Sequence, residues 1–181
     1  DSTAYCWGKG NYLGIMNLTS NDIERAPRAI TSTEKFEMLD AGAQHTCGVT
    51  DNDEIFCWGA NPDGQLGDGT QVDRQTPIKV PGTQSWDVVA VGTDHTWGLT
   101  TTGQACCWGA NNNGQRGEGG MNTNSVSTPQ LVAGNHTFKT LVAGRSHTCA
   151  IDTDDVAYCW GENFRGKLGD GTTLDRFSPF P

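Results

Sequence analysis

The sequence predicts an all-β protein of β-propeller-type blades, each a four-stranded antiparallel sheet, with about three and a half blades forming a partial or open propeller. Three observations carry that expectation. A Cys-Trp-Gly triplet recurs at Cys6-Trp7-Gly8, Cys57-Trp58-Gly59, Cys107-Trp108-Gly109 and Cys159-Trp160-Gly161, at spacings of 51, 50 and 52 residues. A second motif, Gly-x-x-His-Thr, keeps the same register at 42–46, 92–96 and 144–148. Between these motifs short apolar runs alternate with turn residues, 24 of the 181 residues are glycine, and no long amphipathic helical stretch occurs. A period near fifty residues with several short strands in each unit is the signature of a repeat fold rather than of one continuous core.

In chain order, residues 1–30 hold only the latter half of a unit: the strand bearing Cys6, a loop, and a segment around Pro27. Here Gly10 to Asn17 replaces the glycine loop of the later units. Asn17 stands in the place of Gly67, a position asparagine can fill because it tolerates left-handed backbone. Full units follow at 31–81, 82–131 and 132–181, and with the half unit they make one repeat domain. Each opens on an aromatic, at Phe36, Trp86 and Phe138. The middle unit reads as a strand from Trp86 to Val91, a strand from His95 to Thr100, a tight turn, and a strand from Gln104 to Trp108. A glycine loop and an extended segment at a proline then close it. The loops are 64–70, 114–119 and 166–172, and the prolines are 27, 77, 129 and 179. Loop glycines supply the positive φ that a compact turn needs.

If residues 50–54 make a hairpin turn, Cys47 faces Cys57 and Val49 faces Ile55; Cys149 and Cys159 repeat the arrangement. Directly opposed residues have Cβ atoms about 4.5–5.5 Å apart, close to the roughly 3.5–4.5 Å of a disulfide. Each bond closes a short loop worth just under about 3 kcal/mol in the chain-entropy model. The acidic runs between these cysteines, Asp51 to Glu54 and Asp152 to Asp155, are weighed as Ca²⁺ ligands. They lack the alternating ligand loop with its glycine and distal glutamate, so solvated turn charge is the better account. The cysteine spacing does not suit zinc either.

Unit 82–131 has Trp97 where the others have cysteine, so an indole fills the gap and Cys107 has no hairpin partner. Cys106 falls at the register of Tyr5, Phe56 and Tyr158, as a thiol in a packing slot. Cys6, Cys106 and Cys107 are left as free thiols or as partners for another chain. His45, His95 and His147 come once per unit, so they are expected to bond backbone near a strand start. Trp7, Trp58, Trp108 and Trp160 are expected to pack between neighbouring sheets. Asp73-Arg74 and Asp175-Arg176 read as turn ion pairs. No nucleophile, base or carboxylate pair stands out, so neither catalysis nor a cofactor is expected.

Asn17-Leu18-Thr19 and Asn135-His136-Thr137 are acceptor triplets for N-linked glycans, and with paired cysteines they favour an extracellular or cell-surface setting. The formal charge of −9 repels nucleic acid and anionic lipid. No run reaches the roughly 20 apolar residues of a membrane helix. A half unit leaves sheet edges that recruit strands, so a partner is expected: copies of the chain, or further repeats of the same polypeptide.

These repeats resemble those of the regulator of chromosome condensation family, in its extracellular, cysteine-containing form. The resemblance covers nearly the whole chain and implies a seven-bladed propeller. A plant photoreceptor of the family uses clustered tryptophans and a Gly-Trp-Arg-His-Thr motif. Gly144-Arg145-Ser146-His147-Thr148 departs from it, which argues against photoreception. The leading expectation is a glycosylated, disulfide-braced module for protein–protein contact or structural assembly, in a filament or cell-surface layer. A secreted propeller that binds or inhibits one protein target is the alternative. Guanine-nucleotide exchange on a small GTPase, the founding member's activity, stands third, because acidic charge and paired cysteines oppose it.

Overall fold

The computed structural model describes residues 3–120 and 122–181; Asp1 and Ser2, within the half unit, lie outside the described residues, as does Met121. The described residues form strands and turns without a helix. The half unit contributes β1 (Tyr5–Lys9) and β2 (Ile23–Ala29), an antiparallel pair. The first full sheet is β3 (Phe36–Ala41), β4 (His45–Thr50), β5 (Ile55–Gly59) and β6 (Arg74–Lys79). The second is β7 (Trp86–Val91), β8 (His95–Thr100), β9 (Ala105–Gly109) and β10 (Val126–Leu131). The third is β11 (Phe138–Ala143), β12 (His147–Asp152), β13 (Ala157–Gly161) and β14 (Arg176–Phe180). Within each full sheet the strands neighbour one another in sequence order and run antiparallel.

Sequence chemistry explains each joint. In the β4–β5 hairpin Thr50 N–H donates to Glu54 O, Asp53 N–H donates to Thr50 O, and Asp53 takes the left-handed position at φ 57°. Asp155 does the same in the β12–β13 hairpin at φ 66°, and Gly103 in β8–β9 at φ 81°. An aspartate tolerates that backbone because its short side chain bonds locally. The prolines fall on β2, β6, β10 and β14, the last strand of each sheet, where a missing N–H costs no central ladder bond.

The blades converge on their first strands, since β7 packs against β3 on one side and β11 on the other. Glycine permits the approach: a Cβ on Gly42 would stand 2.1 Å from the Gly92 carbonyl oxygen. The core therefore lies between sheets. One seam buries Val49, Ile55 and Leu66 against Trp86, Val89 and Trp108; the next buries Ala90, Trp97 and Leu99 against Phe138, Leu141 and Trp160. A smaller one joins the half unit to the first full blade through Ala4, Ile30, Phe36 and Trp58. Trp58, Trp108 and Trp160 are 0% exposed, and an indole burying about 150–250 Å² is stabilised by roughly 4–6 kcal/mol through that area.

Candidate interaction surface

The two seams between full blades are each closed by one hydrogen-bonded knot, while in the smaller seam the buried Trp58 Nε1 has no hydrogen-bond partner. Trp108 Nε1 donates to the Gln65 carbonyl at 2.9 Å, and the Thr96 hydroxyl donates to the same oxygen at 2.7 Å. His45 Nε2 lies 2.8 Å from that hydroxyl, whose proton is already committed, so Nε2 carries the imidazole proton and donates. Burial holds the His45 pKa down at about 3, keeping the ring neutral. The next seam repeats the knot: Trp160 Nε1 and Thr148 Oγ1 donate to Gln115 O at 3.1 and 3.3 Å, with His95 Nε2 at 3.4 Å from Thr148. The expected histidine–backbone bond is thereby corrected. The partner is a hydroxyl of the following unit, about fifty residues away, which local strand geometry does not specify. Gly67 and Gly117 sit beneath these indoles, where a Cβ would come within 2.6 Å of Trp108 Nε1 and Trp160 Nε1 respectively.

Among the described residues, the first and last sheets carry apolar groups that no blade covers. Trp7 is 60% exposed, which corrects its expected place between sheets. In the other units the indole is covered by the preceding unit's glycine loop, and no such loop precedes Trp7 among the described residues. β1 pairs with β2 alone, and a cavity of about 450 Å³ opens between β1 and residues 41–46. At the far end Gly169 has nothing within 4 Å of a built Cβ, and Val142, Phe164 and Leu174 are more than 60% exposed. A second cavity of about 250 Å³ there is walled by Leu141, Val142, Cys149, Ala150 and Ile151.

The structure joins Cys47 to Cys57 and Cys149 to Cys159, each pair with Cα atoms 4.1 Å apart. Cys6 is half-buried and unpaired, and Cys106 and Cys107 are buried free thiols. Burial lifts the Cys106 thiol to about 11 and the Cys107 thiol well above its ordinary value, so both stay protonated and unreactive. Trp97 is the residue opposite Cys107, fully buried with its ring 5.3 Å from that of Trp160. Asn17 and Asn135 are both exposed, Asn17 with φ 67°, close to the 72° of Gly67.

The expected Asp73–Arg74 and Asp175–Arg176 pairs are replaced by longer reaches. Asp73 Oδ1 and Asp175 Oδ1 accept from the backbone N–H groups of Asn61 and Asn163, at 2.8 and 2.7 Å. Arg74 and Arg176 instead grip Asp68 and Asp170 at 2.7 and 2.6 Å. Asp73 and Asp175 stand just before β6 and β14, with their carboxylates committed to those N–H groups. In the middle loop, 114–119, Arg116, 0% exposed, bonds Glu118 at 3.1 Å. The repeat pattern offered a signal for this residue, since it is the one cation among Leu66, Arg116 and Leu168. The turn acids act locally: Glu54 pairs with Lys79 and Asp155 with Lys139.

Comparison with known proteins gives a consistent set of similarities. A family model described as the regulator of chromosome condensation (RCC1) repeat matches residues 52–99 and 102–151, and a second of the same description matches 87–115 and 138–167. The chain is 31% identical over 177 residues to the ultraviolet-B receptor UVR8 of Arabidopsis thaliana, covering 96% of this chain and 40% of that one. It is 29% identical over 175 residues to the E3 ubiquitin-protein ligase HERC2 of Homo sapiens, covering 93% of this chain and 4% of the relative. Among solved structures, yeast RCC1 (Prp20) bound to Kap60 superposes with a TM-score of 0.83 at 21% identity, over 98% of this chain and 44% of that one. Prp20p of Saccharomyces cerevisiae gives 0.81 at 22% identity, over 98% and 45%. These likenesses are of fold, and the chain spans less than half the length of each relative.

Proposed function

The chain belongs to the regulator of chromosome condensation repeat family, and from that premise we propose that it is a disulfide-braced array of propeller blades that binds protein outside the reducing interior of the cell. The observation that carries this reading is the pairing of Cys47 with Cys57 and of Cys149 with Cys159, two hairpins in equivalent register. Such bonds persist in oxidising compartments and are rare where thiols are kept reduced. The exposed positions of Asn17 and Asn135 accord with N-linked glycans that leave the core undisturbed. The exposed apolar side chains of Trp7, Val142, Phe164 and Leu174 accord with assembly, into a filament or surface layer, with copies of the chain or further repeats.

The work of the module is recognition, without a catalytic step or a cofactor. Its formal charge of −9 disfavours nucleic acid and anionic lipid, and among the described residues no helix is long and apolar enough to cross a membrane. The yeast relatives are described with Kap60, Gsp1p and histones, so protein is the partner class their fold accommodates.

Secretion of the chain from a eukaryotic host, followed by peptide mapping without reduction, tests the proposal. The expected map contains both cysteine pairs and glycan on Asn17 or Asn135. Free thiols at all four hairpin cysteines would overturn it.

A further inference from the structure

Strand register gathers a small set of uncharged groups where the middle blade runs on to the next. Leu131, at the end of β10, pairs with Cys106, the register at which Lys79 pairs with Phe56 in the blade before it. Lys79 reaches from there to Glu54, just before β5, and forms an ion pair. In the middle blade the residues at those two places are Leu131 and Gln104, so no ion pair covers the spot, and Leu131 is 63% exposed. A cavity of about 300 Å³ lies there, walled by Gln104, Leu131, Val132 and the linker 134–137.

The same wall carries the acceptor triplet Asn135-His136-Thr137. Its middle residue is anchored: His136 is half-buried, its ring stacked on Phe138 with centroids 5.4 Å apart and lying 4.5 Å from Tyr158. Asn135 and Thr137 on either side are exposed, so the anchor holds Asn135 at the rim of the cavity. A cavity of the same size beside the half unit is walled by Thr33, Glu34 and Lys35, which precede Phe36 as Asn135, His136 and Thr137 precede Phe138. That one presents charge and no acceptor asparagine. This one presents an exposed aliphatic side chain and a primary amide beside an asparagine that can be modified. An N-acetylated sugar matches the mixture, with a C–H face that favours apolar contact and an amide that both donates and accepts.

We propose that this cavity is the seat of an N-glycan carried by Asn135, whose first N-acetylglucosamine covers Leu131 and meets the Gln104 amide. The inference rests on the secreted, glycosylated reading above and deepens it. In the modification the amide nitrogen of Asn135 loses a proton and gains the bond to C1 of the sugar. The bond from C1 to a lipid-linked diphosphate breaks, and the diphosphate leaves with the electron pair. Tethering settles the choice of occupant: a sugar attached at the rim reaches the cavity at high effective concentration, so even a weak contact holds it there.

The test uses Asn17→Gly, which puts at that left-handed position the residue found at Gly67 and leaves Asn135-His136-Thr137 as the one acceptor triplet. The chain is secreted from a eukaryotic host, and its glycan is trimmed to a single N-acetylglucosamine by endoglycosidase H or removed by peptide N-glycosidase. Removal leaves aspartate at 135, so a Thr137→Ala chain, bare and with asparagine intact, controls for the added charge. In the single-sugar form the backbone amides of 131–137 should exchange with solvent about tenfold more slowly than in either bare form, because the contact suppresses local opening. The acetyl methyl should show a nuclear Overhauser contact to Leu131, and Leu131→Ser with the sugar still attached should lose most of the protection. Equal exchange with and without the sugar, protection unchanged by Leu131→Ser, or a secreted chain bare at Asn135 overturns the proposal. The functional reading is judged separately, on the four hairpin cysteines in the same peptide digest.

Discussion

Trp97 lies directly opposite Cys107 across β8 and β9, at the rung that the blades on either side close with a disulfide. Its indole is fully buried and packs edge-on against Trp160 of the following blade. Blade 82–131 therefore replaces a covalent tie within one sheet by an aromatic contact between two.

Trp97→Cys should restore the bond without restoring stability. The disulfide contributes just under about 3 kcal/mol, whereas removing a buried large aromatic costs about 3–5 kcal/mol. The oxidised variant is expected to show, by mass spectrometry, a bond between the introduced thiol and Cys107, and a melting temperature at or below that of the parent. A clear rise in melting temperature would mean that the indole contributes little.

Acid should loosen the seams before it protonates the carboxylates. His45 and His95 have pKa values lowered to about 3 by burial, for His95 with further lowering from His45 and His147. Above about pH 6.5 neither the folded nor the unfolded state binds these protons, so stability is at its plateau. Below it the unfolded chain takes them up first, and stability falls by about 1.4 kcal/mol per pH unit for each histidine until the folded pKa is reached. Urea midpoints should drop between about pH 6.5 and about pH 4.5, a window above most carboxylate titrations. His45→Gln, which keeps a donor toward Thr96, should remove roughly one proton from that slope. A midpoint flat across the window would sink this account of the knot.

The middle glycine loop, 114–119, should accept the wiring of its neighbours. Arg116 pairs with Glu118 from within its own loop, while in the other two loops the cation reaches from the rim strand, as Arg74 and Arg176. Val126 pairs with Gly109 as Arg74 pairs with Gly59 and Arg176 with Gly161. Arg116→Leu should cost about 1–3 kcal/mol by stranding a partly buried carboxylate. Adding Val126→Arg should recover most of that loss in chemical denaturation. If the double variant is no more stable than Arg116→Leu, the two cations are not interchangeable.

Strand positions and hairpin registers were legible because the repeat supplies several copies of one pattern, and one tight turn fixes what faces what, as with Val49 and Ile55. Asn17 could be placed in a left-handed position for the same reason, from alignment with Gly67. Contacts between units were harder to read. The partner of His45 is Thr96, in the next blade, and the partner of Arg74 is six residues back across a loop rather than the adjacent Asp73. The exposure of Trp7 was hidden by its own motif, since identical Cys-Trp-Gly triplets differ only in what covers them.

The knot at Gln65 has a mechanical implication. One carbonyl oxygen fastens two side chains of the next blade, and nothing in that fastening reaches a blade further on. Cohesion is thus additive over adjacent joints, as in a bolted chain of plates. Under tension such a molecule should peel plate by plate from its ends, and units can be added or deleted by evolution without rewriting the rest.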